Sequence, residues 1–443
     1  MTKTLPDLIP DAPLNLPPEA ERTLPNGLTV IAIRRSSVPL VEVRLRIPFG
    51  RAPLAPATLL SQALFTGTST LSSIDIAAEL QAVGGGLAAG LDPDRLQISG
   101  NALAGGLDRT LELLAGVLTD ATYPTEEVAT ERERLVDHIQ VALSQPAHLA
   151  RVALLKRMFG DHPYAVQTPA PDAIRPVDSG ALRDLHASRV RPDGAVLVLV
   201  GDIDPEQAIL SAEKILGGWT GAAADGLVPP VPELKPGALL LVDRPGSVQS
   251  SMRLALPALP RTHPDYAALN LANMVFGGYF SSRWVENIRE DKGYTYGPHS
   301  GIEHFVAGSS LLAAAEVATE VTGPALLETL YELGRIASLA PGEEELEQAR
   351  RYALGTLRLG MSTQGGLAGL ASMYAGFGLR LNHLPEYSAA LAAATREDVA
   401  AAAAEHLAPS RAVTVVLGDA DKIESQLAAL TSVERAAVER STE

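Results

Sequence analysis

Side-chain catalysis needs a nucleophile, a proton carrier or a metal ligand, and this sequence is sparing with all three. There is no cysteine, which removes thiolate nucleophiles, disulfides and cysteine-held metal or iron–sulfur centres. The nine histidines contain no His-x-x-x-His pair, and neither His-x-x-Glu-His nor His-Glu-x-x-His occurs. Without two imidazoles one turn apart on a helix there is no ready zinc chelate. The glycines of Gly84-Gly85-Gly86-Leu-Ala-Ala-Gly90 follow a helical stretch and precede a strand, the reverse of a dinucleotide-binding loop, so they read as a turn. No Gly-Lys-Ser/Thr phosphate loop is present. Arg289 and Tyr296 stand close together in a segment closed by Gly293. From spacing alone Arg289 reads as a cation offsetting the negative end of a helix dipole, and Tyr296 as a strand tyrosine on the same face as Tyr294.

One helix is conspicuous for what it lacks. Ala52 to Thr68 reads as a helix entered through Pro56 and closed at Gly67, yet from Ala52 to Ile74 the chain carries no charged residue and no histidine. A surface helix has a charged face and a catalytic helix has something that binds a proton or a metal.

The elements around it are written twice. Ala195-Val-Leu-Val-Leu-Val-Gly201-Asp202-Ile-Asp204 and Ala412-Val-Thr-Val-Val-Leu-Gly418-Asp419-Ala-Asp421 share six of ten positions at an offset of 217 residues. Each is a β-branched strand running into a helix. Near the start of each half come two strands, 28–35 with 41–47 and 238–243 with 248–256, expected to pair antiparallel. Helices at 107–121 and 324–337 each lead through a proline turn into a further charged helix. The halves therefore form a duplication. The expected fold is α+β: two tandem homologous domains, each a mainly antiparallel mixed sheet with helices packed on one face. The expected boundaries are 1–220, a Gly/Pro-rich linker at 221–236, and 237–443, with a polar tail after about Ser432 that could fray.

Several segments together resemble the pitrilysin and insulinase family of zinc peptidases, with the mitochondrial processing peptidases closest in size. They are Thr23-Leu-Pro-Asn-Gly27-Leu-Thr-Val30, the Ala-Leu-Phe65-Thr-Gly67-Thr68 helix end and Asp161-His162-Pro163-Tyr164. To these are added Phe276-Gly277-Gly278-Tyr-Phe280-Ser-Ser-Arg283 and Ile288-Arg289-Glu-Asp-Lys-Gly293-Tyr-Thr-Tyr296. The resemblance implies that the chargeless helix is the one that carries His-x-x-Glu-His in active members, two zinc ligands and the general base. Here those positions fall on Thr58, Leu59, Leu60, Ser61 and Gln62. The family's third ligand, a Glu, falls on His138, while Glu131 matches a retained acidic position. Arg289 and Tyr296 match the pair that active members bring from the C-terminal half to substrate and oxyanion.

The resemblance thus implies a non-catalytic subunit that binds no cofactor of its own and supplies Arg289 and Tyr296 to a homologous partner. That partner carries His-x-x-Glu-His and the zinc, in a heterodimer that cleaves peptides. The alternatives are a purely structural member of the family, or an enzyme of unrelated chemistry, for which no nucleophile and base stand out. A formal net charge of −16 argues against nucleic acid and anionic membrane as partners. The proline- and acid-bearing first residues lack a signal peptide's apolar core, and no apolar run reaches membrane-spanning length, so a cytoplasmic location is expected.

Overall fold

A computed structural model of the chain describes residues 14–222 and 226–437. The first half builds a sheet from β1 (Glu19–Thr23), β2 (Thr29–Arg34), β3 (Leu40–Pro48), β4 (Gly86–Leu91), β5 (Arg95–Leu103) and β6 (Val196–Gly201). Its helices are α1 (Leu54–Ala63), α2 (Ser73–Ala82), α3 (Leu107–Asp120) and α4 (Thr125–Ser144), then α5 (Pro146–Phe159), α6 (Pro171–Ile174), α7 (Ser179–Arg189) and α8 (Pro205–Leu216). The second half builds a sheet from β7 (Leu239–Asp243), β8 (Gln249–Pro257), β9 (His299–Phe305), β10 (Gly308–Ala318), β11 (Val413–Gly418) and β12 (Val433–Ala437). Its helices are α9 (Tyr266–Asn273), α10 (Arg283–Val285), α11 (Thr322–Ser338) and α12 (Glu343–Ser362), then α13 (Gln364–Ala375), α14 (His383–Ala393), α15 (Arg396–His406) and α16 (Ala420–Ala428).

The strand orders are β1-β2-β6-β3-β5-β4 and β12-β7-β11-β8-β10-β9, so five strands of each sheet repeat one plan, while the sixth is antiparallel β1 in one and parallel β12 in the other. Each is mixed and mainly antiparallel, as the expected α+β class requires; β2 with β6, and β7 with both β11 and β12, are the parallel pairs. The expected direct pairing of each half's first two strands does not occur. β6 lies between β2 and β3, and β11 between β7 and β8. The reason is in their composition: Val196-Leu-Val-Leu-Val-Gly201 has no polar side chain and is satisfied only where both faces are covered, at the middle of a sheet.

The turn reading of the glycines holds only at the start. Gly84 ends α2 with φ +67°, whereas Gly86 and Gly90 belong to edge strand β4. The tail after Ser432 is ordered through Ala437, where β12 adds to β7; positions 438–443 of that tail lie outside the described residues. α1 also stops at Ala63, before Gly67.

Within each half the helices cover one face of the sheet. Val41, Val43, Leu45 and Ile47 on β3 are wholly buried there with Leu111, Leu114 and Ile209. The opposite face takes a helix from the other half. Ile31, Ile33, Val198 and Val200 pack against Leu367, Ala371 and Tyr374 of α13, while Leu154, Leu155 and Phe159 of α5 pack against Ala255, Val415 and Leu417 of the second sheet. Each half thus supplies one outer layer of its neighbour.

Candidate functional site

α1 is enclosed on several sides, contacting α4, α6, α7 and β4, and buries Ala57, Leu59, Leu60, Ser61 and Ala63. That accounts for a helix without charge: nearly every face is interior. Thr58, Ser61 and Gln62 line a cavity of about 340 Å³ with Arg51, Pro163 and Gln167. The helix therefore still presents the three positions on one side. The two hydroxyls are spent internally. The Thr58 hydroxyl donates to the Leu54 carbonyl at 2.7 Å and the Ser61 hydroxyl to the Thr58 carbonyl at 2.8 Å. Such hydroxyls and a neutral carboxamide do not fit zinc, which takes imidazole, thiolate or carboxylate.

The other expected positions do not complete a site. His138 is exposed on α4, and Glu131, on the same helix, is held by Arg134 at 2.7 Å; neither lines the cavity of Gln62. Among the described residues no group of three or more His, Cys, Asp or Glu side chains could hold a metal ion. The remaining histidines include clear structural ones. His186 pairs its Nδ1 with the Tyr123 hydroxyl at 2.7 Å and its Nε2 with the Leu118 carbonyl at 3.0 Å.

In the second half the chain is prepared differently. Residues 286–291 form a π-turn whose end is closed by Gly293 at φ +65°, with the Gly293 and Tyr294 amides returning to the carbonyls of Arg289 and Ile288 at 3.1 and 2.8 Å. Arg289 is thus held near a helix end, as its spacing suggests. Tyr296 is not a strand residue. It lies in the loop before β9, 86% exposed, while Tyr294 packs against the second core and the Thr295 hydroxyl anchors the loop to the Glu316 carbonyl at 2.6 Å.

The Arg289 guanidinium lies between two rings, 4.5 Å from the centroid of Phe280 and 5.0 Å from that of Tyr296, with Glu290 at 3.2 Å. Phe280 is itself 57% exposed. Cation–π contact fixes the direction of a long cation while leaving its N–H groups able to donate. Arg289 and Tyr296 also line one open cleft, together with Gln249, Glu290 and Glu316. Sequence reasoning pairs Arg289 with Tyr296 but misses Phe280, although it stands nine residues before Arg289 within a matched motif.

Comparison with known proteins places these features. Residues 56–172 match the family described as insulinase (peptidase family M16), and residues 176–352 match the peptidase M16 inactive domain. An uncharacterized zinc protease of Mycobacterium leprae is 27% identical over 350 residues, spanning 76% of this chain and 77% of that protein. The crystal structure of a peptidase M16 inactive domain from Pseudomonas fluorescens superposes with a TM-score of 0.84 at 25% identity, over 90% of this chain and 98% of that one. A protease from Helicobacter pylori shares the fold with a TM-score of 0.83 at 19% identity, over 91% and 100% of the two chains.

Proposed function

Because the chain belongs to the M16 peptidase family and lacks that family's zinc motif, we propose that it is the non-catalytic subunit of a heteromeric zinc peptidase. In this reading a homologous partner carries His-x-x-Glu-His and the metal, and this chain contributes Arg289 and Tyr296 to the bound peptide. The domain division at 221–236 belongs to the same reading, each half being one wall of the chamber.

The observation that carries it is the exposure of Tyr296. A tyrosine with 86% of its surface in water has no packing role in its own chain, yet its ring lies against a guanidinium that is itself steadied by Phe280. Such an arrangement is preorganised for something outside the chain. A phenol donor suits the charge that develops on a peptide carbonyl oxygen during attack, and a guanidinium suits the carbonyls on either side.

A second reading has its own support. Exposed Tyr and Phe side chains around a half-buried Arg are the residue types that dominate protein interfaces, so the cluster could serve docking alone, as in a scaffold. The experiment that separates the two is reconstitution with a His-x-x-Glu-His chain from a neighbouring reading frame, followed by peptide cleavage with Tyr296→Phe. Loss of turnover in an intact complex supports catalysis in trans. Unchanged turnover leaves only the scaffold. Among the described residues no helix is long and apolar enough to cross a membrane, and placement in the cytoplasm remains part of the proposal.

A further inference from the structure

Away from the Arg289 surface, a cavity of about 600 Å³ lies between the two halves, bounded by β3 and β5, by Gly226 and Val228, and by Val306 and Gly376 of the second half. Pro48 stands opposite Arg95 in the β3–β5 register, so Arg46, two residues back on the same face, is the diagonal neighbour of Arg95. Both guanidinium groups close on Gly376: a Cβ built there would stand 3.1 Å from Arg95 Cζ and 3.2 Å from Arg46 Nη1. With no side chain at Gly376 the space between them stays open, whereas a Cβ there would press on both.

These two cations are incompletely answered by the protein. Arg95, buried, donates to the Gly376 carbonyl, lies 4.0 Å from Asp92 and stacks 5.0 Å from the centroid of Phe377. Arg46 donates through Nε to the Ser372 hydroxyl at 2.7 Å, and its Nη1 and Nη2 have no acceptor among the described residues. The carboxylate in the cavity wall is already engaged: Asp94 accepts from the Tyr164 hydroxyl and from the Val306 amide. Burial, with Arg95 adding to it and Asp92 opposing, lowers the proton affinity of Arg46. Around the two guanidinium groups the wall is apolar, with Pro48, Val196, Val228 and Val306.

We infer that this cavity binds a small carboxylate with an apolar tail, such as the C-terminal residue of a peptide, with the carboxylate between Arg46 and Arg95. Planar guanidinium forks match a carboxylate's two oxygens, and the volume falls in the range that holds small ligands. The ligand would touch both halves at once and so tie them together. This site is independent of whatever Arg289 and Tyr296 do.

The test is calorimetric titration of the full chain with N-acetyl-leucine, N-acetyl-leucinamide and inorganic phosphate, each to roughly 10 mM. The acid binds saturably and the amide at least about tenfold more weakly, because only the acid brings charge. Arg46→Gln, which keeps a donor for Ser372, weakens the acid by about tenfold or more. Equal binding of acid and amide, or no saturable binding of the acid, overturns the inference. Binding of phosphate alone assigns the cavity to another anion and overturns the carboxylate. If Arg46→Gln does not fold, the acid and amide on the unaltered protein still decide.

Discussion

The guanidinium of Arg289 rests 5.0 Å from the centre of the Tyr296 ring, and that ring is 86% exposed. Removing the Tyr296 hydroxyl therefore costs the chain almost nothing in stability, within about 0.5 kcal/mol by denaturant titration. In the reconstituted complex, Tyr296→Phe lowers kcat by roughly 10²-fold to 10³-fold with little change in KM, since one donor aimed at transition-state charge is lost. Arg289→Ala raises KM as well, because a guanidinium on substrate carbonyls acts in the ground state too. Wild-type kinetics for both variants in an assembled complex would reduce the cluster to a docking surface.

Purified protein is expected to carry no stoichiometric zinc, which elemental analysis checks. Thr58 and Gln62 nonetheless line one cavity from one turn to the next of α1. Replacing both with histidine restores an i, i+4 chelating pair on an intact helix, and the double variant gains measurable zinc affinity that the parent lacks. A tightly held zinc in the unaltered chain would contradict the assignment of α1 as scaffold.

Asp94 and Tyr164 join three segments: the loop before β5, the turn after α5, and the β9–β10 turn of the second half. Tyr164 donates to Asp94, Asp94 accepts the Val306 amide at 2.8 Å, and the Ala307 amide reaches the Tyr164 oxygen at 3.2 Å. Asp94→Ala leaves buried donors unanswered and lowers stability by about 2–3 kcal/mol; Tyr164→Phe removes less, about 1 kcal/mol. Chemical denaturation of the two variants gives both values, and an Asp94→Ala protein as stable as the parent would remove this network from the contacts that hold the halves together.

His304 places Nε2 3.1 Å from the Tyr266 hydroxyl and Nδ1 2.8 Å from the Ser309 hydroxyl. Burial, with Arg261 adding to it, pushes its pKa down to about 3, and burial also lowers that of His186. Unfolded histidine takes up a proton near pH 6.5. The stability these neutral rings contribute is complete above that pH. As pH falls below 6.5 it is lost, for His304 down to about pH 3, by about 1.4 kcal/mol per pH unit while the ring is protonated only on unfolding. The melting temperature drops between about pH 7 and about pH 5, and His304→Gln shows a smaller drop. A melting temperature flat across that range would mean these rings are not held neutral.

The strands and the duplication were legible because β-branched alternation and the repeated Gly-Asp-x-Asp leave a local mark. Strand order was not: nothing adjacent to Val196–Gly201 names its neighbours, although the absence of any polar side chain there points to a central place. The exchange of α5 and α13 was likewise hidden, since an apolar helix face does not specify which sheet it will meet. At the site, the absence of the family's zinc motif could be read from the residue types at Thr58, Ser61 and Gln62. The posture of Arg289 between Phe280 and Tyr296 depends on how a π-turn and a loop converge, which spacing cannot supply. The Arg46–Arg95 pair arises only from the register of β3 on β5.

The reciprocal loan of α5 and α13 sets the order in which the chain can finish folding as it leaves the ribosome. When β6 emerges and completes the first sheet, the outer face carrying Ile31, Ile33, Val198 and Val200 has no cover, because α13 begins at Gln364. Translation must add roughly 160 residues first, on the order of ten to thirty seconds at ordinary rates of synthesis. α5 meanwhile waits for a sheet whose central strand, β11, is made still later. For that whole interval the nascent first half carries an apolar face that its finished form never exposes.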